Sequence, residues 1–301
     1  MFIIIPTGVN YRTDRLPVVT FSIMGVNTLL YLISAVQFWS GGASGENDWL
    51  IDHFGLVPSE SVWYTYITSL FVHGGFFHLL GNMMYLFLFG SCVEDILGRW
   101  QYVLFYLLGG MVADIGHILA SAGNFSSTLP LVGASGAISA CMGGFVLLLH
   151  RNEIDFKYFL WFFFRFAAGE FALPAWLVIS FWFLKDLAFA ILAASSPHGG
   201  GGVAFAAHVG GFVSGMGMVG IWKLLTRGRR VAEASQETSG ADGAGPGAPA
   251  IYLFENDTQT GPFSSQQIAE MLAMGSISAD AVYWQHGMAD WRSVNELGPG
   301  A

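Results

Sequence analysis

Apolar residues gather in six long runs, at about 18–38, 76–94, 100–121, 131–150, 174–195 and 203–225, separated by polar, aromatic or glycine-rich stretches. Each run is close to the ~20 residues an α-helix needs to cross the ~30 Å hydrocarbon core of a bilayer. The pattern predicts six transmembrane helices. Lys and Arg give an independent check. Arg12 and Arg15 precede the first run, and Arg99 lies between the second and third. Arg151, Lys157 and Arg165 lie between the fourth and fifth, and Lys223, Arg227, Arg229 and Arg230 follow the sixth. With six spans, all ten fall on one side, which the positive-inside rule makes cytoplasmic together with both termini. The opposite loops carry no Lys or Arg, only acids such as Glu46, Asp48, Asp52 and Glu60. The first of these loops holds Trp39, Trp49, Trp63, Tyr64 and Tyr66, amphipathic rings suited to a membrane interface. Phe156–Phe171 is aromatic-rich but charged and is expected to lie in the interface rather than to span. Met1–Pro17 lacks the pattern of a cleavable signal.

Composition agrees with this reading. The 301 residues are 53% hydrophobic and 11% charged, with mean hydropathy +0.53, values of a multi-pass membrane protein. After Arg230 the pattern changes. Residues 231–249 are rich in Ala, Gly, Ser and Glu and are expected to form a flexible linker. Residues 250–297 regain aromatics and pattern and are expected to fold as a small α/β module, near the lower size limit for independent folding. The expected organisation is thus a six-helix membrane domain over 1–230, a linker, and a cytoplasmic module. The net charge of −9 divides into −1 for 1–230 and −8 for 231–301. That leaves no basic footprint for nucleic acid. Cys92 and Cys141 sit in apolar runs without metal-ligand spacing and are expected to be free thiols; no metal or cofactor is implied.

Candidate chemistry gathers in three runs. Gly133-Ala134-Ser135-Gly136 opens the fourth; Ala137 in place of a last glycine separates it from the G-x-S-x-G elbow of soluble hydrolases. His208 lies in the sixth run, one turn before Gly211-x-x-x-Gly215. The fourth run offers matching ladders, Gly136/Ala140/Gly144 and Ser135/Ser139/Gly143. Small residues four apart let helix axes approach closely, which would bring Ser135 and His208 together near one end of their helices. An imidazole there can take the serine proton and turn a weak nucleophile into a strong one. In the second run His78 and Asn82 are four apart on one helix face. They are either two donors for a developing oxyanion or interhelical hydrogen-bonding groups.

Other polar positions have plainer readings. Glu94 and Asp95, beside Gly98-Arg99, suit a structural turn and ion pair. Asp114 and His117 suit structural partners. Lys185 and Asp186, adjacent in mid-span, are expected to pair with neighbours. The glycine-rich Ser195–Gly202 loop could serve as a lid over the following helix.

Taken together and in order, Phe71-Val-His73-Gly-Gly-Phe-Phe-His78-Leu-Leu-Gly-Asn82, Glu94 to Gly98-Arg99, Gly133-Ala-Ser135-Gly136, Leu173-Pro174-Ala175-Trp176 and Ala207-His208-Val-Gly-Gly211-x-x-x-Gly215 resemble the rhomboid family of intramembrane serine proteases. The resemblance implies a Ser135–His208 dyad with no third acid, an oxyanion hole from His78, Asn82 and the Ser135 backbone N–H, and cleavage of transmembrane protein substrates in or beside their membrane helix. It also implies contact with membrane lipid and, with the basic loops, a bacterial inner membrane. Two positions depart from the family pattern. The Trp-Arg pair of the first loop is missing, and the bulky residue four after the nucleophile, under the histidine ring, is Ser139. The tail resembles the bacterial GYF-like domain through Gly261-Pro262-Phe263, Gly275 and Gly287-Met288-x-x-Trp291. That family implies a peptide-binding face, here from Tyr252, Trp284 and Trp291, with a cytoplasmic peptide partner; the alternative is that these rings form the module's core. Two rival functions remain: a rhomboid relative that binds membrane helices without cutting, and a transporter using Asp114, Lys185 and Asp186.

Overall fold

A computed structural model describes residues 2–40, 49–123, 125–162, 165–196, 203–241, 251–255, 258–273, 277–278, 280–285, 288 and 290–296. The chain forms two compact units, Met1–Lys223 and Leu224–Ala301. In the first, α1 (Val18–Ser40) is followed by the short α2 (Trp49–Phe54) and α3 (Thr65–Thr68) of the first loop. Then α4 (Phe76–Tyr85) passes through a π-helical turn at Leu86–Gly90 into α5 (Ser91–Leu97). Next come α6 (Arg99–Ser121), α7 (Ser135–Leu149), α8 (Ala175–Ala194) and α9 (Phe205–Ala241), the last of which belongs to this unit up to Lys223. The helices fall on the six apolar runs. Five of them are long and apolar enough to cross a membrane, and α7 is a shorter apolar helix of 15 residues.

α7 is the centre of the unit, buried without a break from Gly136 to Phe145, as expected of a helix apolar on every face. Its small residues admit neighbours on two sides. A side chain at Gly136 would lie 2.6 Å from Ala113 Cβ of α6, and one at Gly211 of α9 would press into the Gly136 carbonyl. Further along, Gly215 sits against the Ala140 carbonyl and Gly143 against the Phe212 carbonyl. The glycine ladders of the fourth and sixth runs therefore meet backbone to backbone.

The acids that close the second run act differently from the expected turn and ion pair. Glu94, buried, accepts from the backbone N–H groups of Val19 and Thr20 and from the Thr20 hydroxyl at 2.7–2.9 Å. It caps the N-terminus of α1, where free N–H groups and the helix dipole favour a carboxylate. Asp95 accepts from the Tyr11 hydroxyl and the N–H groups of Asp14 and Arg15. Span one is thus tied to span two by charge-assisted hydrogen bonds.

A three-stranded antiparallel sheet accompanies the helices. β1 (Phe2–Val9) pairs with β2 (Glu153–Phe162), which pairs with β3 (Arg165–Pro174). The stretch expected to lie in the interface falls, in its described residues, within the paired strands β2 and β3. Lys157 stands opposite Glu170 in the register, and their exposed side chains form an ion pair at 3.2 Å. Aromatic Phe156, Tyr158, Phe159, Phe166 and Phe171 are good strand formers.

The helix α9 runs on to Ala241. Residues 231–241, part of the stretch expected as a linker, are its last turns. Residues 242–250 lie outside the described residues. The second unit contains β4 (Ile251–Glu255), β5 (Thr258–Phe263), α10 (Ser265–Ala273), β6 (Val282–Gln285) and β7 (Arg292–Ser293), with sheet order β5-β4-β6-β7. Ile251, Leu253, Ile268, Ala281, Tyr283 and Val294 make its core.

Candidate active site

Ser135 is the first residue of α7, so its backbone N–H is among the donors a helix leaves unpaired. The segment before it is held in place. Leu131 exchanges backbone hydrogen bonds of 2.7 and 2.9 Å with Leu56 of the first loop, and Gly133 N–H donates to the Ser69 carbonyl. Gly133 has φ +113°, a region that glycine alone adopts readily. A side chain there would also lie 2.7 Å from the His78 ring and 3.3 Å from Asn82 Nδ2. The turn therefore carries Ser135 right beside the His78/Asn82 face of α4.

These groups converge on a cavity of about 650 Å³, lined by His78, Asn82, Ser135, Ser139, Trp182 and His208 among others. All four residues singled out in the sequence reach it. Ser135 and His208 share the cavity without hydrogen-bonding each other. Asn82 is 8% exposed, and its Nδ2 is buried with no hydrogen-bond partner. A buried donor left unpaired costs about 1–3 kcal/mol, so this amide is a feature in need of a purpose. His73, in the turn before α4, is also buried with both ring nitrogens unpaired, its ring 5.2 Å from that of His78. Burial, and then the nearby His78, push the His73 pKa down to about 4, so it is neutral at pH 7.

His208 is held from α8. Its Nδ1 lies 2.7 Å from Asp186 Oδ2, and Asp186 is 1% exposed. Lys185 Nζ is 2.6 Å from the other carboxylate oxygen. The Trp182 ring stacks on the imidazole, centroids 5.6 Å apart and planes at 29°, and Phe205 meets its edge at 6.4 Å. The small Ser139 gives the ring no platform; its hydroxyl donates to the Ser135 carbonyl at 2.7 Å. Asp186 and Trp182 were not legible as site residues. The signal was present: a charged pair in mid-span, with Trp182 one turn before Asp186 on the same helix face.

A profile of the rhomboid domain matches residues 60–224, more than half of the chain. The chain belongs to the rhomboid family. With five membrane-length helices among the described residues, this rhomboid is an integral membrane protein. It is similar to YdcA of Bacillus subtilis, a candidate rhomboid protease by name (33% identity; 46% of this chain, 66% of that one). It is also similar to Rhomboid-related protein 2 of Mus musculus (29%; 52% and 47%) and to Rhomboid protease GluP of B. subtilis (26%; 46% and 26%). The matched stretches thus cover from about a quarter to two thirds of these relatives. A profile of GYF domain 2 matches residues 252–298, so the rhomboid domain is followed by a GYF-type domain.

The remaining sequence candidates separate. Asp114 is buried and accepts from the Ser69 hydroxyl at 3.3 Å, bracing the loop that holds Gly133. His117 lines a smaller, separate cavity with Phe205 and Val203. Most of the Ser195–Gly202 loop, from residue 197 on, lies outside the described residues, as do Gly275 and Gly287 of the tail. In the GYF-type domain, Tyr252 and Trp284 face each other across β4 and β6, rings 6.1 Å apart, and Trp291 packs on Phe254 at 5.7 Å. None of the three belongs to the core, and Trp291 is 39% exposed.

Among the described residues no group of three or more His, Cys, Asp or Glu is placed to hold a metal ion.

Proposed function

We propose that this rhomboid is an intramembrane serine endopeptidase that cleaves transmembrane segments of membrane proteins. Ser135 Oγ attacks the scissile carbonyl while His208 takes the hydroxyl proton. The carbonyl oxygen becomes an oxyanion, met by the Ser135 N–H and by the side chains of Asn82 and His78. His208 then gives its proton to the leaving amine, and water resolves the acyl-enzyme by the same steps. The observation that carries the reading is the unpaired, buried Asn82 amide in the cavity shared by Ser135 and His208. A preorganised donor without a ground-state partner is what oxyanion stabilisation requires. The gap between Ser135 and His208 suits a ligand-free site, where catalytic hydrogen bonds are often long and tighten with substrate.

The 15-residue α7 rises about 22 Å, short of the ~30 Å core. His150 and Arg151 follow its other end, so the shortfall falls at Ser135, which lies below the membrane surface. The positive loops support a topology with both termini in the cytoplasm, in the inner membrane of a bacterium, and with the serine toward the opposite face. The GYF-type domain binds a cytoplasmic peptide through Tyr252, Trp284 and Trp291. The deciding experiment is labelling of the full chain with a fluorophosphonate. Wild type should be labelled and Ser135→Ala should not; equal labelling would refute the assignment.

A further inference from the structure

We propose that Asp186 is the positioning carboxylate of His208, so that this rhomboid works through a Ser135–His208–Asp186 triad rather than a two-residue dyad. The proposal rests on the serine-protease reading above. Its basis is geometric. An ionised carboxylate only accepts hydrogen bonds, so in the 2.7 Å contact it is His208 Nδ1–H that donates to Asp186 Oδ2. That fixes the tautomer: the proton is on Nδ1, and the lone pair is on Nε2. Nε2 is then the basic nitrogen available to the cavity that Ser135 lines. When the Ser135 Oγ–H proton moves to Nε2 and Oγ bonds to the carbonyl carbon, the imidazolium forms next to a fixed negative charge. The proton next leaves Nε2 for the amide nitrogen as the C–N bond breaks. Asp186 accepts one hydrogen bond throughout and takes no proton.

Two further contacts support a built device. A lone carboxylate in an apolar interior is costly. Lys185 Nζ at 2.6 Å offsets that charge while sitting about 6 Å over the Trp182 and Phe205 rings. Trp182, on the same face of α8 as Asp186, fixes the plane of the imidazole by stacking. One helix thus supplies both the orientation and the tautomer of the base on another. His78 and His117 are the other titratable groups that face His208, and neither is a carboxylate.

The test uses the full chain in proteoliposomes with a single-pass reporter bearing fluorophore and quencher on either side of its membrane segment. Asp186→Asn should lower kcat about 10²–10⁴-fold with KM and melting temperature unchanged, and Asp186→Glu should recover part of the loss. Nitrogen-15 spectra of histidine-labelled protein read the tautomer without turnover: His208 should be in the Nδ1–H form in wild type and should leave it in Asp186→Asn. Asp186→Ser replaces the Asn variant if that one fails to fold. Wild-type kcat in a folded Asp186 variant, with Ser135→Ala inactive, would overturn the triad and leave the protease standing. An unchanged tautomer would also overturn the triad. Full cleavage by Ser135→Ala would remove the protease reading and the triad with it.

Discussion

Replacing Gly211 by alanine tests whether the contact between α7 and α9 sets the catalytic geometry. The new methyl group would lie 3.1 Å from the Gly136 carbonyl carbon, nearer still to its oxygen, and 3.2 Å from Ser139 Cβ, against an ordinary contact of 3.4–4 Å. Two of these atoms are backbone in a helix buried without a break from Gly136 to Phe145, so neither yields by a rotamer change. Relief requires α9 to move away from α7 by roughly 1 Å, at a cost of about 1–3 kcal/mol for overpacking. His208 is one turn earlier on the same helix and moves with it. A displacement of about 1 Å can lower catalysis on the order of 100-fold. Gly217 and Gly220 are built-in controls: a side chain at either meets nothing within 4 Å. Gly217→Ala and Gly220→Ala should therefore melt and turn over like wild type, while Gly211→Ala should melt lower and lose most of its kcat. The readouts are thermal unfolding in detergent and cleavage of the quenched reporter. Wild-type turnover by a folded Gly211→Ala protein would refute the reasoning.

Asn82→Ala should lower kcat about 10²–10³-fold with little loss of stability, because the Nδ2 it removes has no partner; a large drop in melting temperature would make Asn82 a structural residue. Glu94→Ala removes the acceptor of three hydrogen bonds at the start of α1, and each bond to a charged group is worth about 1.5–3 kcal/mol, so melting should fall by about 10 °C or more; an unchanged melt refutes the cap. His73 has a folded pKa near 4 against an ordinary 6.5, so its contribution to stability is whole above pH 6.5 and is lost as pH falls from there to about 4. The loss should reach about 3 kcal/mol and should be absent in His73→Phe; melts that show the same acid loss in both would refute this. In the GYF-type domain, Trp291→Ala should stay folded and lose a peptide partner in pull-downs, since Trp291 lies outside the core; unfolding would instead assign it to the core.

What could be read from the chain depended on how local the physics was. The six helices were legible because apolar run length is a property of single segments; α7, at 15 residues, is the one that falls short of membrane thickness. That Ser135, His208, His78 and Asn82 line one cavity was legible because glycine spacing and four-residue spacing translate directly into helix faces. β2 and β3 were not legible. Phe156–Phe171 has the composition of an interfacial stretch, and its strand form comes with backbone pairing between β2 and β3 and between β2 and β1. β1 lies almost 150 residues away, and no local pattern carries that contact. Glu94 was legible as structural but not as a cap, because its partners, Val19 and Thr20, lie more than 70 residues earlier.

Asp186 shows the same limit at the site itself. A charged pair in mid-span announces that something polar must be met, but not which neighbour meets it. Lys185 and Asp186 project about 100° apart around the helix, so the rotation of α8 about its axis decides which of them faces α9. That rotation is set by packing. Trp182 lies one turn before Asp186, and its ring stacks on the His208 imidazole while Asp186 meets Nδ1. The ring and the acid that meet the histidine thus come from one face of α8, and a single sequence displays the charged pair without displaying which helix that face meets.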